Sequence, residues 1–157
     1  MVLVDSSVWI DLLRSHATPQ VAVLRDLLAA DEAALTPVIY QEILQGAASP
    51  AHFARLREYF GTLPFLLPAH AIETYAAAAE LRLLCRQQGV TPRSPHDCLV
   101  ARIAAEHSVT LLHDDRDFEA LARVEPQLKF HPVAPVCLSS SSRSARRSAS
   151  WAAVPMM

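Results

Sequence analysis

The sequence predicts a single domain of the α/β class, a three-layer α/β/α sandwich built around a short parallel sheet. Short aliphatic runs alternate along the chain with longer segments whose apolar residues recur at helical spacing. That alternation is typical of parallel strands joined by right-handed helical crossovers. The length of 157 residues, with 52% apolar and 19% charged residues, suits one hydrophobic core.

Aliphatic runs mark five candidate strands, and capping residues mark the helices between them. Pro19 and Pro37 each lie at the start of a predicted helix, while Gly46 and Gly89 each end one. The predicted strands are 2–4, 33–35, 65–67, 109–112 and 128–130. The predicted helices are 8–14, 19–31, 38–45, 51–60, 69–88, 98–107 and 118–123.

The composition excludes several classes of protein. Only three glycines are present, so the chain cannot build the glycine-rich loop of P-loop nucleotide hydrolases or of GxGxxG dinucleotide folds. The three cysteines are far apart and form no CxxC pair, which argues against a disulfide framework or a zinc knuckle. No apolar run approaches the ~18–20 residues that span a bilayer, and no signal-peptide pattern is visible. We therefore expect a cytoplasmic protein without a membrane partner.

The last part of the chain differs in composition from the rest. From Ser139 onward it is rich in serine and arginine and lacks apolar periodicity, as is typical of disordered segments. The predicted organisation is therefore a folded domain over 1–138 and a disordered tail over 139–157.

The charges are also distributed unevenly. All 16 acidic residues precede the predicted tail, but only 11 of the 14 basic residues do. A domain with this excess of acids does not attract nucleic acid through its overall field. If it acts on nucleic acid, a local arginine patch or a bound cation must reverse the charge at the site.

Three acids follow predicted strands, where open α/β sheets place their ligand sites. Asp5 ends the first strand, and Asp115 and Asp117 follow the strand 109–112. If these two strands are neighbours, Asp5 and Asp115 converge on one crevice. The structural alternatives are a helix N-cap for Asp5 and the start of the next helix for the other two acids.

Two further acids lie beside the predicted buried faces of helices. Asp97 projects next to the apolar stripe of helix 98–107, and Glu42 projects among the apolar residues of helix 38–45. For Asp97 the structural alternative is a capping box with Ser94. For Glu42 it is an ordinary boundary residue.

Several carboxylates in one crevice repel one another by several kcal/mol unless a cation neutralises them. Oxygen ligands of this kind suit Mg²⁺ or Mn²⁺. Such an ion lowers the pKa of water and stabilises a pentavalent phosphoryl transition state. It would also supply the positive charge that an acidic domain needs to hold RNA.

At these residues the sequence resembles the PIN-domain ribonucleases, and in particular the VapC toxins of bacterial toxin–antitoxin pairs. Three segments carry the resemblance: LVDSSVWIDLLR at 3–14, PVIYQEILQG at 37–46 and HDCLVARIAAEHSVTLLHDDRDFEALA at 96–122. Together they extend the likeness over 2–132. The resemblance implies a PIN-like parallel sheet of order 3-2-1-4-5, in which the first and fourth strands are adjacent.

The resemblance also implies which residues do the chemistry. The residues that match its catalytic quartet are Asp5, Glu42, Asp97 and Asp115. The implied metal ligands are Asp5, Asp97, Asp115 and, as an accessory acid, Asp117. Ser7 matches a hydroxyl residue that forms a hydrogen bond within the site. His113 departs from the pattern, because the family usually has Thr or Ser there, and we expect its ring to contact phosphate or to face solvent.

Other residues are candidates for holding the substrate or a partner. The predicted substrate-binding residues are Ser7, Arg14, Arg93 and Arg116, with Arg86 a further arginine and His96 a neighbour of the site. Trp9, Leu12 and Leu13 form either core or an interface. The likeness to VapC toxins implies a VapB-like antitoxin and a homodimer.

The resulting hypothesis is a Mg²⁺-dependent endoribonuclease that acts as the toxin of a toxin–antitoxin system. The alternative is a non-catalytic PIN-like module for RNA binding or protein interaction, although such modules usually lack one of the acids. A haloacid dehalogenase-type phosphohydrolase is disfavoured because Asp5 is followed by Ser6-Ser7 and not by the required Asp-x-Asp.

Overall fold

The computed structural model describes residues 1–133, and the predicted domain boundary at 138 and the predicted tail 139–157 lie outside them. The strands are β1 (Val2–Val4), β2 (Ala33–Ala34), β3 (Thr110–Leu112) and β4 (Lys129–Phe130). The helices are α1 (Ser6–Leu13), α2 (Pro19–Ala29), α3 (Pro37–Gln45), α4 (Pro50–Phe60), α5 (Ala71–Gln87), α6 (Pro95–Glu106) and α7 (Arg116–Leu121).

The sheet is parallel throughout and places β1 at its centre. Its order is β2-β1-β3-β4, and β1 is aligned with β3 so that Val4 lies opposite Leu112. The carboxyl ends of these two strands therefore meet at one edge of the sheet. This is the adjacency that the predicted convergence of Asp5 and Asp115 requires.

The strand predicted at 65–67 is reduced to a single parallel bridge between Leu35 and Phe65. The bridge still lies beside β2, so the predicted order of the five segments is preserved. Its shortness follows from Pro64 and Pro68, which supply no N–H to a ladder. Leu35 N–H donates to Pro64 O at 2.9 Å and Leu66 N–H donates to Leu35 O at 2.7 Å.

The core lies between the sheet and the inner faces of the helices, and Trp9 is part of it. The Trp9 side chain is fully buried, packs edge-on against Phe60 at 5.1 Å between ring centroids, and donates from Nε1 to Val4 O at 3.1 Å. Leu12 and Leu13 are partly buried against the same core. Of the two alternatives for this cluster, the structure therefore favours core.

Two cysteines of the described residues lie in this core as free thiols, Cys85 and Cys98. Burial raises the pKa of the Cys98 thiol to about 11, so it stays protonated and unreactive near neutral pH. None of the helices formed by residues 1–133 combines the length and the apolar character that crossing a bilayer requires.

The loop between α5 and α6 delivers Arg93 and Ser94 to the edge of the sheet where β1 and β3 end. Gly89 turns the chain out of α5 with a φ of +73°, in the left-handed region that glycine enters at least cost. Ser94 then caps α6, because its Oγ accepts from His96 N–H at 3.1 Å.

Candidate active site

An open crevice of about 450 Å³ lies beyond the carboxyl ends of β1 and β3. All five acids predicted from the sequence line it, and they come from separate places in the chain. The lining residues are Asp5, Ser6, Ser7, Ile10, Glu42, Arg93, Ser94, Asp97, Asp115 and Asp117. The topology therefore brings together the side chains that the spacing of the motifs predicts.

Asp5 lies at the bottom of the crevice and is only 5% exposed. It caps α1, as the structural alternative predicts, because its Oδ2 accepts from Ser7 N–H at 2.9 Å and from Ser7 Oγ–H at 2.6 Å. Its backbone N–H donates to Leu112 O at 2.9 Å, which holds it against the end of β3. Burial raises the pKa of Asp5, although the hydrogen bonds from Ser7 act against this rise.

Ser7 joins the two loops that carry acids. Its hydroxyl donates to Asp5 and accepts from Asp114 N–H at 3.2 Å. The predicted role of Ser7, a hydrogen bond within the site, agrees with this geometry.

Asp97 projects from the first turn of α6 into the crevice. Burial raises its pKa to about 7, and the negative charges of Asp5, Asp115, Asp117 and Glu42 add to the rise. The Ser94 backbone N–H donates no hydrogen bond to the Asp97 carboxylate within residues 1–133, so the capping-box alternative does not describe this acid.

Glu42 projects from α3 and is held by His96 of α6. The distance from His96 Nδ1 to Glu42 Oε1 is 2.8 Å. This contact places the His96 ring on a site acid, and it leaves the second carboxylate oxygen of Glu42 available to the crevice.

Asp115 and Asp117 flank the start of α7, and Arg93 bridges them. Arg93 Nη2 donates to Asp115 Oδ1 at 2.9 Å, and Arg93 Nε donates to Asp117 Oδ2 at 3.1 Å. Partial burial acts to raise the pKa of Asp117, but hydrogen bonds from the Arg93 backbone and side chain lower it overall. Asp115 is also the N-cap of α7. It therefore begins a helix, as the structural alternative predicts, and lines the crevice as well.

The predicted substrate-binding arginines do not all reach the crevice. Arg93 lines it, whereas Arg14 at the end of α1 and Arg116 at the start of α7 are exposed and lie outside its lining. Arg86, in the last turn of α5, is likewise exposed and outside. The roles of these three arginines stay predictions.

His113 contradicts the expectation that it faces solvent, since its ring is half-buried and lies outside the crevice lining, and its contact with phosphate stays a prediction. The ring is half-buried and packs against Phe118 and Phe130, with centroid distances of 5.2 and 4.4 Å. Its Nδ1 accepts from Asp115 N–H at 3.3 Å, and burial lowers its pKa. It therefore supports the loop that carries Asp115.

Ile10 lines the crevice but was not anticipated from the sequence. It follows Ser6 and Ser7 by about one turn of α1, so a helical projection from those residues would have identified it. Its apolar side chain borders the polar floor.

The donor set of the crevice fits a hard divalent cation, because its acids supply only oxygen and crowd negative charge around Asp97. As the side chains lie in the described residues, no group of three His, Cys, Asp or Glu is arranged to hold a metal. Each of the acids except Asp97 is paired with another side chain: Arg93 pairs with Asp115 and Asp117, His96 pairs with Glu42, and Ser7 pairs with Asp5. Metal binding therefore requires some of these side chains to move.

Comparisons with known proteins agree with this geometry. A family model described as the PIN domain matches residues 2–124. The chain is 34% identical over 126 residues to VapC ribonuclease Mb1587 of Mycobacterium bovis and, equally, to ribonuclease VapC11 of Mycobacterium tuberculosis. Each alignment covers 79% of this chain and 93% of the relative.

A solved structure shares the architecture. The match is to a chain in the crystal structure of FitAcB from Neisseria gonorrhoeae, with a TM-score of 0.61 and 20% identity. It covers 83% of this chain and 97% of that chain. At this identity the match concerns the fold.

Proposed function

The chain belongs to the PIN-domain family, and from that membership we propose that it is a metal-dependent endoribonuclease acting as the toxin of a toxin–antitoxin pair. The observation that carries the proposal is the convergence of five acids on one crevice, where burial and then the neighbouring negative charges raise the pKa of Asp97 to about 7. The names of the relatives, VapC ribonucleases, support RNA as the substrate.

The proposed ion is Mg²⁺ or Mn²⁺, held by Asp5, Asp97 and Asp115. When bound, such an ion supplies Lewis acidity, lowering the pKa of water and offsetting charge on the phosphoryl group. Asp5 is fixed for this role by its hydrogen bonds from Ser7. Asp97 gains a counter-charge from the cation, because burial and the neighbouring acids disfavour its charged form in the metal-free crevice.

Glu42 is proposed to accept a proton from the attacking water. Its Oε1 is held at 2.8 Å from His96 Nδ1, which orients the other oxygen toward the crevice. As water adds to phosphorus, the bond from phosphorus to the leaving oxygen breaks, and that oxygen takes up a proton. Arg93, at the rim, is the crevice arginine that faces an incoming phosphate.

The proposed partners are a cognate VapB-like antitoxin and a second copy of the chain. The acidic crevice suits inhibition by an antitoxin arginine, whose planar guanidinium pairs with carboxylates through two parallel hydrogen bonds. Such an arginine would occupy the same oxygens that the ion needs.

The test is to incubate the purified protein with total RNA in Mg²⁺ or in EDTA and to map the cleaved ends. We expect cleavage in Mg²⁺ alone. Asp115→Asn should abolish it, whereas Asp114→Asn serves as the matched control, because Asp114 is the adjacent acid, is exposed, and contacts Gln20 at 3.0 Å outside the crevice lining. RNA binding without cleavage would favour the non-catalytic module.

Expression in a bacterial host tests the toxin assignment. Growth should arrest with the wild-type chain, recover when the product of a small adjacent upstream gene is co-expressed, and remain normal with Asp5→Ala. Normal growth with the wild-type chain in its native host, together with no cleavage in vitro, would contradict the proposal.

A further inference from the structure

Asp117 and Arg93 form a unit at the rim of the crevice whose function differs from that of the other acids. We propose that Asp117 is a positioning residue, which orients Arg93 toward an RNA phosphate, and that it does not hold the metal ion. The inference rests on the proposed ribonuclease function and assigns different roles to the acids of its site.

One oxygen of Asp117 holds Arg93 at two points. Its Oδ2 accepts from the Arg93 backbone N–H at 2.9 Å and from Arg93 Nε–H at 3.1 Å. The backbone bond fixes the loop from which the side chain leaves, and the side-chain bond fixes the direction of the guanidinium. Both bonds go to the same residue, 24 positions away in sequence, so Asp117 ties the α5–α6 loop to α7.

Asp115 also holds the guanidinium of Arg93, but with only one of its two carboxylate oxygens. Its Oδ1 accepts from Arg93 Nη2 at 2.9 Å and from Asp117 N–H at 3.0 Å. Its other oxygen accepts no hydrogen bond from residues 1–133. Asp115 accepts one hydrogen bond from Arg93 and Asp117 accepts two, one from the Arg93 backbone and one from its side chain, so the position of Arg93 depends more on Asp117.

Exposure determines which member of the pair meets a ligand. The Arg93 side chain is 74% exposed, whereas the Asp117 side chain is 18% exposed. A guanidinium has five N–H groups, and two of them are bonded to the acids, so three stay available to phosphate oxygens. A phosphate reaches Arg93 directly, while Asp117 Oδ2 already accepts two N–H groups of Arg93.

A metal-binding experiment separates the two roles for Asp117. Titration calorimetry with Mn²⁺ alone would compare the wild type, Asp117→Ala, Asp117→Asn and Asp97→Asn, with thermal melts to confirm folding. We expect Asp117→Ala to leave the Mn²⁺ dissociation constant within about twofold, while Asp97→Asn raises it tenfold or more. An effect of Asp117→Ala as large as that of Asp97→Asn would overturn the inference.

An RNA-binding experiment tests the positioning role through affinity, the salt dependence of binding and rescue by Asp117→Asn, of which a folding defect alone would not produce the last. The probe is a labelled single-stranded 2′-O-methyl RNA in Mg²⁺, checked for intactness after each run. Arg93→Ala and Asp117→Ala should each weaken binding about tenfold, the size of one hydrogen-bonded charge contact. Arg93→Ala should also flatten the salt dependence by about 0.7 per decade. Asp117→Asn, which keeps an oxygen acceptor for Arg93, should recover most of the binding.

The double variant decides whether Asp117 acts through Arg93. Adding Asp117→Ala to Arg93→Ala should weaken binding no further, and additive losses would overturn the inference. A wild type that cleaves and binds RNA while Asp117→Ala changes only Mn²⁺ affinity would overturn the inference but not the proposed function. A wild type that neither binds the probe nor cleaves RNA would overturn both.

Discussion

Among the single residues of the crevice, Asp97 differs from its neighbours because its carboxylate has no partner within residues 1–133 to stabilise the negative charge. Asp5 has Ser7, Glu42 has His96, and Asp117 has Arg93. Burial and the surrounding acids therefore act on Asp97 unopposed, and its pKa rises to about 7. A bound cation would supply the counter-charge that the Asp97 carboxylate lacks within residues 1–133.

The first prediction concerns Asp97→Asn. In the fold the pKa of Asp97 is about 7, against an ordinary value of 3.8, so the metal-free fold binds more protons than the unfolded chain between these pH values. Its stability should therefore fall as the pH rises from about 4 through 7. Asparagine removes this loss, so in EDTA at pH 8 the variant should melt higher than the wild type, by about 2–4 °C per kcal/mol recovered.

Thermal melts at pH 5 and pH 8 in EDTA check this prediction, with Asp114→Asn as the control for removing an exposed acid nearby. The same variant should not cleave RNA. If stability depended on pH in the same way in the wild type and in Asp97→Asn, the pKa of Asp97 would not be raised in the fold. Wild-type activity of Asp97→Asn at saturating Mg²⁺ would remove it from the ligand set.

At this scale the sequence allowed the acids and the Ser7 hydrogen bond to be predicted, but not the contacts of Arg93 and His113. Asp5 and Asp115 could be identified because strand ends place ligand residues at one edge of a parallel sheet. The pairing of Arg93 with Asp117 depends on the path of the α5–α6 loop, which no local pattern encodes. His113 was wrongly expected to face solvent, because its burial depends on Phe118 and Phe130, which come from two other elements.

At the scale of elements, the turn from β1 into α1 builds the floor of the crevice. Asp5 ends the strand, caps the helix and lines the site. Ser7 in the first turn of α1 reaches across to the loop after β3 through Asp114 N–H. The Ser7 hydroxyl thus links the turn that carries Asp5 to the loop that carries Asp115.

The second prediction is that Ser7→Ala weakens both the site and the fold. It removes a donor to the buried Asp5 carboxylate and an acceptor from Asp114 N–H, so we expect a loss of about 1–3 kcal/mol in the free energy of unfolding. Cleavage should also fall. Urea denaturation and initial cleavage rates measure the two effects.

Ser6→Ala is the matched control for the stability effect, because the Ser6 side chain has no hydrogen-bond partner among residues 1–133. It should change the free energy of unfolding by less than about 0.5 kcal/mol. Equal losses in Ser6→Ala and Ser7→Ala would show that the Asp5–Ser7–Asp114 contacts do not stabilise this turn.

The elements themselves were largely predictable, and the differences have local causes. Helices begin where Thr18, Thr36 and Ser49 supply a side-chain acceptor and a proline follows, a pattern visible in the sequence. The strand at 65–67 was over-predicted because apolar character marks burial and not pairing. Phe65 and Leu66 join the core beside β2, while the flanking prolines limit the ladder to one bridge.

At the scale of the molecule, the described residues already form a sheet covered by helices with a continuous core. The core cluster extends from Val2 near one terminus to Leu128, and Phe130 and Val133 pack against it. The family match at 2–124 falls within the same residues. The core and the candidate site therefore both lie within residues 1–133.

The third prediction is that truncation after Leu138 leaves both the melting temperature and the RNA-cleavage rate unchanged. Residues 139–157 are rich in serine and arginine, and such side chains cannot offset an ordering cost of ~1–2 kcal/mol per residue. Calorimetry and cleavage assays on the full and truncated chains provide the comparison. A fall of several degrees on truncation would show that the segment packs on the domain, with Trp151 the first residue to substitute.

The outer face of α5 supplies the surface through which a second copy is proposed to bind. Ile72, Tyr75 and Leu83 are exposed by 81%, 58% and 45%, and they follow helical spacing on the side opposite the buried Leu81. Ala76 and Ala79 lie between Ile72 and Leu83 at matching intervals. Two crossed copies of this helix would therefore approach closely at the alanines and pack large side chains on either side, as a two-fold interface requires.

The fourth prediction follows from this arrangement. Light scattering after gel filtration should give the mass of two chains for the wild type and of one chain for Leu83→Lys, because a buried lysine charge opposes association. Leu84→Lys is the matched control, since Leu84 is similarly exposed, at 40%, but lies about 100° further around the helix. It should remain a dimer. Dissociation by both variants would contradict the face of α5 that carries Ile72 and Leu83, and a wild type that is already a monomer would exclude α5 as the surface that joins two copies.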